Sequence, residues 1–265
     1  MEKKIKIAAV GDNCMDVYDN LGKAFPGGNP VNVAVYTVRL GGEACYIGAV
    51  GTDEYGELLT EAVRKKGVDV SRVKVIDGGT ARSHVSLING ERVFGDYDEG
   101  VMAAFKLADE DIDFLSGYDI VVTGLWGKLE NTLPKLKEKG IKTAFDFATE
   151  REGEIVDKAV PYADYAFFSY DGGELGELHS FMRRIYDKGA GMVIVTRGKD
   201  GSIVYDGGRF YEYGIVKCRV VDTMGAGDSF IAGFLYSMLQ GKTVSEAMAD
   251  GAKNSSITLG YEGAW

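Results

Sequence analysis

Short apolar runs alternate with longer amphipathic stretches along this chain. The runs at 5–10, 44–50, 120–123, 143–147, 165–168 and 192–196 have the length and composition of strands. Val193-Ile194-Val195 shows no polar alternation, as expected of a strand covered on both faces. Between them, 31–40, 54–66, 131–139 and 174–188 have helical periodicity. These stop at Gly41, Gly67, Gly140 and Gly189, where left-handed cap residues are expected. The alternation predicts an α/β fold with a mostly parallel sheet between helices.

The pattern breaks once. Residues 81–87, Asn89-Gly90 and 91–95 read as two strands joined by an Asn-Gly turn, with 15–18 as a short strand beside them. His84, Ser86 and Arg92 give this hairpin a wet face. It is either a lid over a cleft or an antiparallel extension at the edge of the main sheet.

Composition narrows the partners. A chain of 265 residues is ample for one large domain. Its 30 Lys and Arg against 40 Asp and Glu leave a net charge of −10. That argues against nucleic acid or an acidic membrane as partner. It does not argue against a nucleotide, whose phosphates backbone N–H groups can hold. Cys14, Cys45 and Cys218 are widely spaced, which suits a reducing cytoplasm rather than a disulfide framework. His84 and His179 are the two histidines, so a histidine-based metal site is not expected. The apolar run before Gly11 is too short for a signal peptide, and no segment approaches a membrane span. A cytoplasmic protein is expected.

The segment richest in chemistry is Val220-Val221-Asp222-Thr223-Met224-Gly225-Ala226-Gly227-Asp228-Ser229-Phe230, followed by a helix-like run to Gln240. Two glycines around an alanine let backbone N–H groups converge without side-chain obstruction. At a helix start those groups are unpaired and the dipole is positive, which suits a transferring phosphoryl group. Asp228 directly after this cradle could accept the proton of an attacking hydroxyl. On the motif alone, a plain loop with Asp228 as helix N-cap is about as good a reading. Gly225-Ala226-Gly227 lacks the third glycine of a dinucleotide site, and Gly241-Lys242-Thr243 lacks the upstream glycine of a P-loop.

Asp222-Thr223-Met224-Gly225-Ala226-Gly227-Asp228 resembles the C-terminal signature of the ribokinase-like (PfkB) carbohydrate kinase family. Gly27-Gly28-Asn29-Pro30-Val31-Asn32-Val33-Ala34 is similar to its N-terminal one. The two stand far apart in the expected order, and the resemblance covers essentially the whole chain. Gly11-Asp12-Asn13-Cys14-Met15-Asp16, Arg92-Val93-Phe94-Gly95-Asp96-Tyr97-Asp98-Glu99-Gly100-Val101-Met102 and Gly263-Ala264-Trp265 look more narrowly like the branch that phosphorylates the 6-hydroxyl of fructosamines such as fructoselysine.

The resemblance implies one three-layer α/β/α ribokinase-like domain over 1–265, with a discontinuous β lid from about 12–30 and 80–104. It implies ATP and Mg2+ as cofactors, a small sugar-amine substrate and a homodimer formed through the lid, and it leaves room for a monovalent cation near Asp222. By resemblance Asp228 is the base, and Gly225, Ala226 and Gly227 form the anion hole. Asp16 and Asn32 bind sugar hydroxyls, a task that suits a carboxylate and an amide, and Gly28 allows close approach. Thr196, Gly198 and Gly201 form a nucleotide-binding turn, and Asn254 lies beside adenine. Read from the residues alone, Asp16 is a turn carboxylate, Asn32 a helix-start polar residue and Asn254 an exposed helix residue. The glycine turn is then an ordinary one.

Departures from the family pattern leave the metal ligands unassigned. Ser169 stands where the Asn of an Asn-x-x-Glu motif is usual. Glu174 is either its displaced Glu or a helix N-terminal acid. Asp146 begins another family motif in which Ala148 replaces Asn. The acidic run of Asp96, Asp98 and Glu99 is either a solvated turn or a partner for a substrate ammonium group. Two other functions stay open: a related kinase acting on a ketose, sugar acid or nucleoside, and a non-catalytic sugar or nucleotide sensor on the same fold. An intact base speaks against the sensor.

Overall fold

The structure is a computed structural model that describes residues 4–18, 22–88, 91–170 and 172–265, with the backbone alone for 85–88 and 91–94. The first half of the chain forms β1 (Lys6–Val10), β2 (Cys14–Tyr18), β3 (Lys23–Gly27), α1 (Asn29–Arg39), β4 (Glu43–Ile47), β5 (Ala49–Gly51), α2 (Glu54–Lys65), β6 (Lys74–Ile76), β7 (Arg82–Ile88) and β8 (Glu91–Asp98). Then follow α3 (Asp109–Leu115), β9 (Ile120–Gly124), α4 (Leu133–Glu138), β10 (Thr143–Asp146), α5 (Glu154–Ala159), β11 (Tyr165–Ser169) and α6 (Leu175–Asp187). The chain ends its regular structure with β12 (Val193–Thr196), β13 (Ser202–Tyr205), β14 (Phe210–Tyr213), α7 (Ala226–Leu239) and α8 (Val244–Thr258).

Eight strands form one sheet in the order β14-β13-β12-β11-β10-β9-β1-β4. Its pairs are parallel except β12 with β13 and β13 with β14. Successive strand residues point to opposite faces, and both faces are buried. Ile7, Val122 and Ile194 meet Val33 of α1, Phe234 of α7 and Met248 of α8. Ala8, Val121 and Val193 meet Ile112 of α3, Leu136 of α4, Val156 of α5 and Phe181 of α6. Each large apolar side chain buried in these layers contributes roughly 1.5–3 kcal/mol, so the layers rather than local propensity hold the sheet.

The glycines expected to end helices, Gly41, Gly67, Gly140 and Gly189, have φ of 92°, 88°, 71° and 117°. The predicted run 44–50 divides at Gly48: β4 joins the large sheet, whereas β5 pairs with β6. The hairpin is no extension of the main sheet. With β2 and β3 it makes a separate four-stranded sheet, β3-β2-β7-β8, in which β2 and β7 run parallel. The Asn89-Gly90 turn lies outside the described residues. Among the described residues no helix is long and apolar enough to cross a membrane, and the three cysteines are free thiols.

Strand order reverses between β1 and β9, so the segments leaving their carboxyl ends diverge. In open α/β sheets that is where ligands bind.

Candidate active site

Helix α1 starts beside this crevice. Its N-cap is Gly28, with φ of 108°, and Pro30 takes an N-terminal position, where a missing N–H costs nothing. A side chain on Gly28 would fall 2.6 Å from Asn13 Cα. Glycine thus lets the start of α1 press against the segment after β1. Asn29 and Asn32, three residues apart, share a helix face and converge on Asp228. Asn29 Nδ2 donates to Asp228 Oδ1 and to Asp146 Oδ2, each at 2.7 Å. Asn32 Nδ2 donates to Asp228 Oδ2 at 2.7 Å. Asn32 Oδ1 in turn accepts from Trp265 Nε1 at 2.8 Å.

Asp228 sits in the first turn of α7, whose N-cap is Gly225. It does not cap the helix, which removes the bland reading of the motif. The two glycines serve different ends. Gly225 has φ of 70°, and a side chain there would lie 2.3 Å from the Tyr36 hydroxyl oxygen; one on Gly227 would meet nothing within 4 Å. The first glycine is demanded by packing, and the second leaves open the space a phosphate would occupy. Ala226 N donates to Thr223 O and Ser229 N to Gly225 O. The intervening N–H groups of Gly227 and Asp228 have no carbonyl partner among the described residues, and the helix dipole adds positive potential there.

On the far side of this helix start is a cavity of about 700 Å³ lined by Thr196, Gly198, Gly201, Ala226, Gly227 and Phe230. That is the size range of ligand pockets. The three turn residues expected to bind nucleotide therefore share one cavity with the glycine loop. Asn254, expected beside adenine, does not line this cavity. It is buried to 2% exposure, its Nδ2 donating to Ser229 O and its Oδ1 accepting from Arg39, both at 2.7 Å. It ties α8 to α7 and α1, while Ala252, Ser255 and Ser256 on the same helix line the cavity. Asp16 lies half-buried on β2, its Oδ2 close to Gly27.

Asn29, Asp12 and Trp265 also belong to this group, as does Asp146, which the sequence offers only as the start of a motif. Asp12 follows β1 at 5% exposure, and its Oδ1 has no hydrogen-bond partner among the described residues. Asp12, Asp146 and Asp228 crowd their charges together. Burial pushes Asp228 up to about 6, against the pull of the Asn32 and Asn29 donors. Burial, then the Asp228 charge, pushes Asp146 up to about 7; burial does the same for Asp12, to about 7, again with the Asp228 charge adding to it. Such crowding of shifted carboxylates marks functional sites. A signal existed for Asn29, since it precedes Asn32 by three residues in the N-terminal motif. For Trp265 the signal was its place in the Gly263-Ala264-Trp265 stretch of the narrower resemblance, which carries no hint of a contact with Asn32.

Where the family pattern is broken, Ser169 Oγ stands 3.3 Å from Thr196 Oγ1 and lines the nucleotide-sized cavity. Glu174 is exposed at the N-cap of α6. Ala148 adopts φ of 45° and donates its N–H to Asp146 Oδ1 at 2.9 Å. Among the described residues no group of three or more His, Cys, Asp or Glu is placed to hold a metal ion.

An open helix N-terminus, a carboxylate of raised pKa beside it and a nucleotide-sized cavity behind it define a phosphotransferase with an alcohol acceptor. The chain belongs to the pfkB family of carbohydrate kinases, whose sequence profile matches residues 6–265. It is 46% identical over 259 residues to the fructoselysine 6-kinase of Escherichia coli (strain K12), covering 98% of this chain and 99% of that protein. A fructosamine kinase of Bacillus subtilis (strain 168) is 37% identical over 265 residues, covering 98% and 93%. The structure superimposes on that of Arabidopsis thaliana ribokinase, complexed with ribose and ATP, with a TM-score of 0.86 at 20% identity, covering 99% of this chain and 94% of the other. The fold is ribokinase-like.

Proposed function

We propose that the chain transfers the γ-phosphoryl group of ATP to the 6-hydroxyl of a fructosamine, with fructoselysine as the preferred acceptor. The observation that carries this reading is Asp228, held by Asn29 and Asn32 at the open start of α7, in a chain so close to fructoselysine 6-kinases along its full length. The nucleotide occupies the cavity beside Thr196, Gly198 and Gly201, and the sugar lies between Asp16, Asn32 and Asp228, with Asp12 beside them. As the bond from the 6-oxygen to phosphorus forms and the bond to the ADP oxygen breaks, Asp228 takes the hydroxyl proton. Of the expected anion hole of Gly225, Ala226 and Gly227, the Ala226 N–H is engaged by Thr223 O, so the Gly227 N–H, joined by that of Asp228, steadies the charge on the phosphoryl oxygens with Gly225 beside it.

A divalent ion would arrive with the nucleotide, bound to its phosphate oxygens. Such an ion would neutralise phosphate charge. The four-stranded sheet serves as the lid, and two copies pair through it. A monomer mass by light scattering at assay concentration would remove the dimer. Of the acidic residues on the lid, Asp98 pairs with Arg82 at 3.0 Å and Glu99 with Lys128 at 2.7 Å.

ADP release measured across a panel of acceptors tests the substrate. Fructoselysine is expected to give the highest kcat/KM, above fructose, ribose, sugar acids and nucleosides. Indifference to fructoselysine would sink the assignment while leaving the kinase intact.

The pH profile gives a second check. Asp228 accepts a proton only when ionised, so its raised value places the acid limb of kcat/KM near pH 6, with activity falling about ten-fold per unit below it. A profile flat down to pH 5 would be incompatible with this base.

A further inference from the structure

Residues 263–265 touch three parts of the site at once. Gly263 N donates to Asp222 Oδ2 at 2.8 Å, while Asp222 Oδ1 accepts from Met224 N at 2.9 Å, at the entry to the glycine loop. Ala264 O accepts from the hydroxyls of Tyr36 and Tyr261, and Tyr36 stands one helical turn beyond Asn32 on α1. Trp265 Nε1 donates to Asn32 Oδ1 at 2.8 Å. Its ring packs against the apolar clusters on both sides of α1.

We propose that Trp265 is a positioning residue for the acceptor: its indole N–H fixes the Asn32 amide so that nitrogen faces Asp228 and the remaining donor and acceptor face the sugar. A side-chain amide offers two N–H groups and two lone pairs on oxygen. In Asn32 one hydrogen goes to Asp228 and one lone pair to Trp265, leaving one of each for a hydroxyl. Indole donates and never accepts. A flipped Asn32 would set its NH2 against the indole N–H and its oxygen against the carboxylate. The carboxylate orients the amide only while charged. Once Asp228 has taken the proton it can donate as well as accept, and the indole then holds the amide in place. Trp265 thus acts through Asn32 and touches no reacting atom. The inference rests on the reading of Asn32 and Asp228 as the acceptor site, and is independent of which sugar fills it.

The test uses whichever acceptor the wild-type enzyme turns over best. Trp265→Phe removes the N–H and keeps an aromatic ring. A lost hydrogen bond of ordinary strength should raise the acceptor KM by about five- to ten-fold, with the ATP KM unchanged. In an Asn32→Ala background the same substitution should cost nothing further, because its route of action is gone. Should Trp265→Phe melt well below wild type, 3-benzothienylalanine at position 265, which replaces the indole N–H by sulfur, gives the same comparison. An unchanged acceptor KM overturns the inference, as do equal rises in both KM values or a loss that adds fully to that of Asn32→Ala. A wild-type enzyme that phosphorylates no acceptor sinks the functional reading and this one with it.

Discussion

Asp228→Asn is expected to lower kcat by about 10²–10⁴-fold, the contribution typical of a positioned acid or base, while ATP affinity changes little. The expectation follows from where Asp228 sits. The nucleotide-sized cavity is lined by Ala226 and Gly227 but not by Asp228, whose two oxygens are turned to the amides of α1. A neutral amide there cannot take the proton of the attacking hydroxyl, and it also meets two N–H donors with one oxygen. Burial disfavours the charged form of Asp228, so the neutral variant is not penalised in folding on that account. ADP release at saturating substrates measures kcat, and calorimetric titration with ATP in the absence of acceptor measures binding. Turnover within ten-fold of wild type would remove Asp228 from the role of base. A parallel collapse of ATP affinity would instead assign it to the phosphates.

The large sheet was legible because its strands are buried on both faces and show as plain apolar runs, as at Val193-Ile194-Val195. The four helix-ending glycines were legible for a steric reason, since few other residues tolerate their φ. Some short elements were not. The six residues of α5 and the seven of α3 span too few turns for a period to emerge, and β3 carries Pro26, which reads as a breaker until the strand proves to lie at a sheet edge. The site divides along similar lines. Backbone chemistry announces itself locally, as at Gly225-Ala226-Gly227, where glycine spacing is the signal. Contacts across the chain do not. Nothing near Trp265 in sequence indicates an indole that reaches Asn32, and small polar residues on both faces of α8 do not tell which of them, Asn254 or Ser255 and Ser256, faces the cavity. Only the packing of α8 against α7 shows which face meets the cavity.

Burial beside Asp228 makes Asp12→Asn the most informative change for stability. Asp12 carries a proton more tightly in the folded protein, at about 7, than its ordinary value of 3.8. The folded state therefore binds more protons than the unfolded state between those values, and stability falls as pH rises through them. Asparagine removes the titration. The variant should match wild type below about pH 4, gain stability from there to about pH 7, and hold that gain at higher pH. One pKa unit is worth about 1.4 kcal/mol. Sharing of charge with Asp146 and Asp228 spreads the titration over the group, so a gain of about 2–4 kcal/mol is expected at pH 8, or roughly 5–10 °C in Tm. The acceptor site should suffer in exchange. The Asp12 Oδ1 without a partner among the described residues is a buried acceptor just beyond the carboxyl end of β1. Loss of a hydrogen bond from a sugar hydroxyl to a charged group should raise the acceptor KM by about ten- to hundred-fold. Melting curves at pH 4 and pH 8, with acceptor kinetics at pH 8, measure both halves. A variant no more stable than wild type at pH 8 would show that Asp12 ionises without strain. A gain in stability with unchanged acceptor KM would leave the strain and remove Asp12 from the sugar.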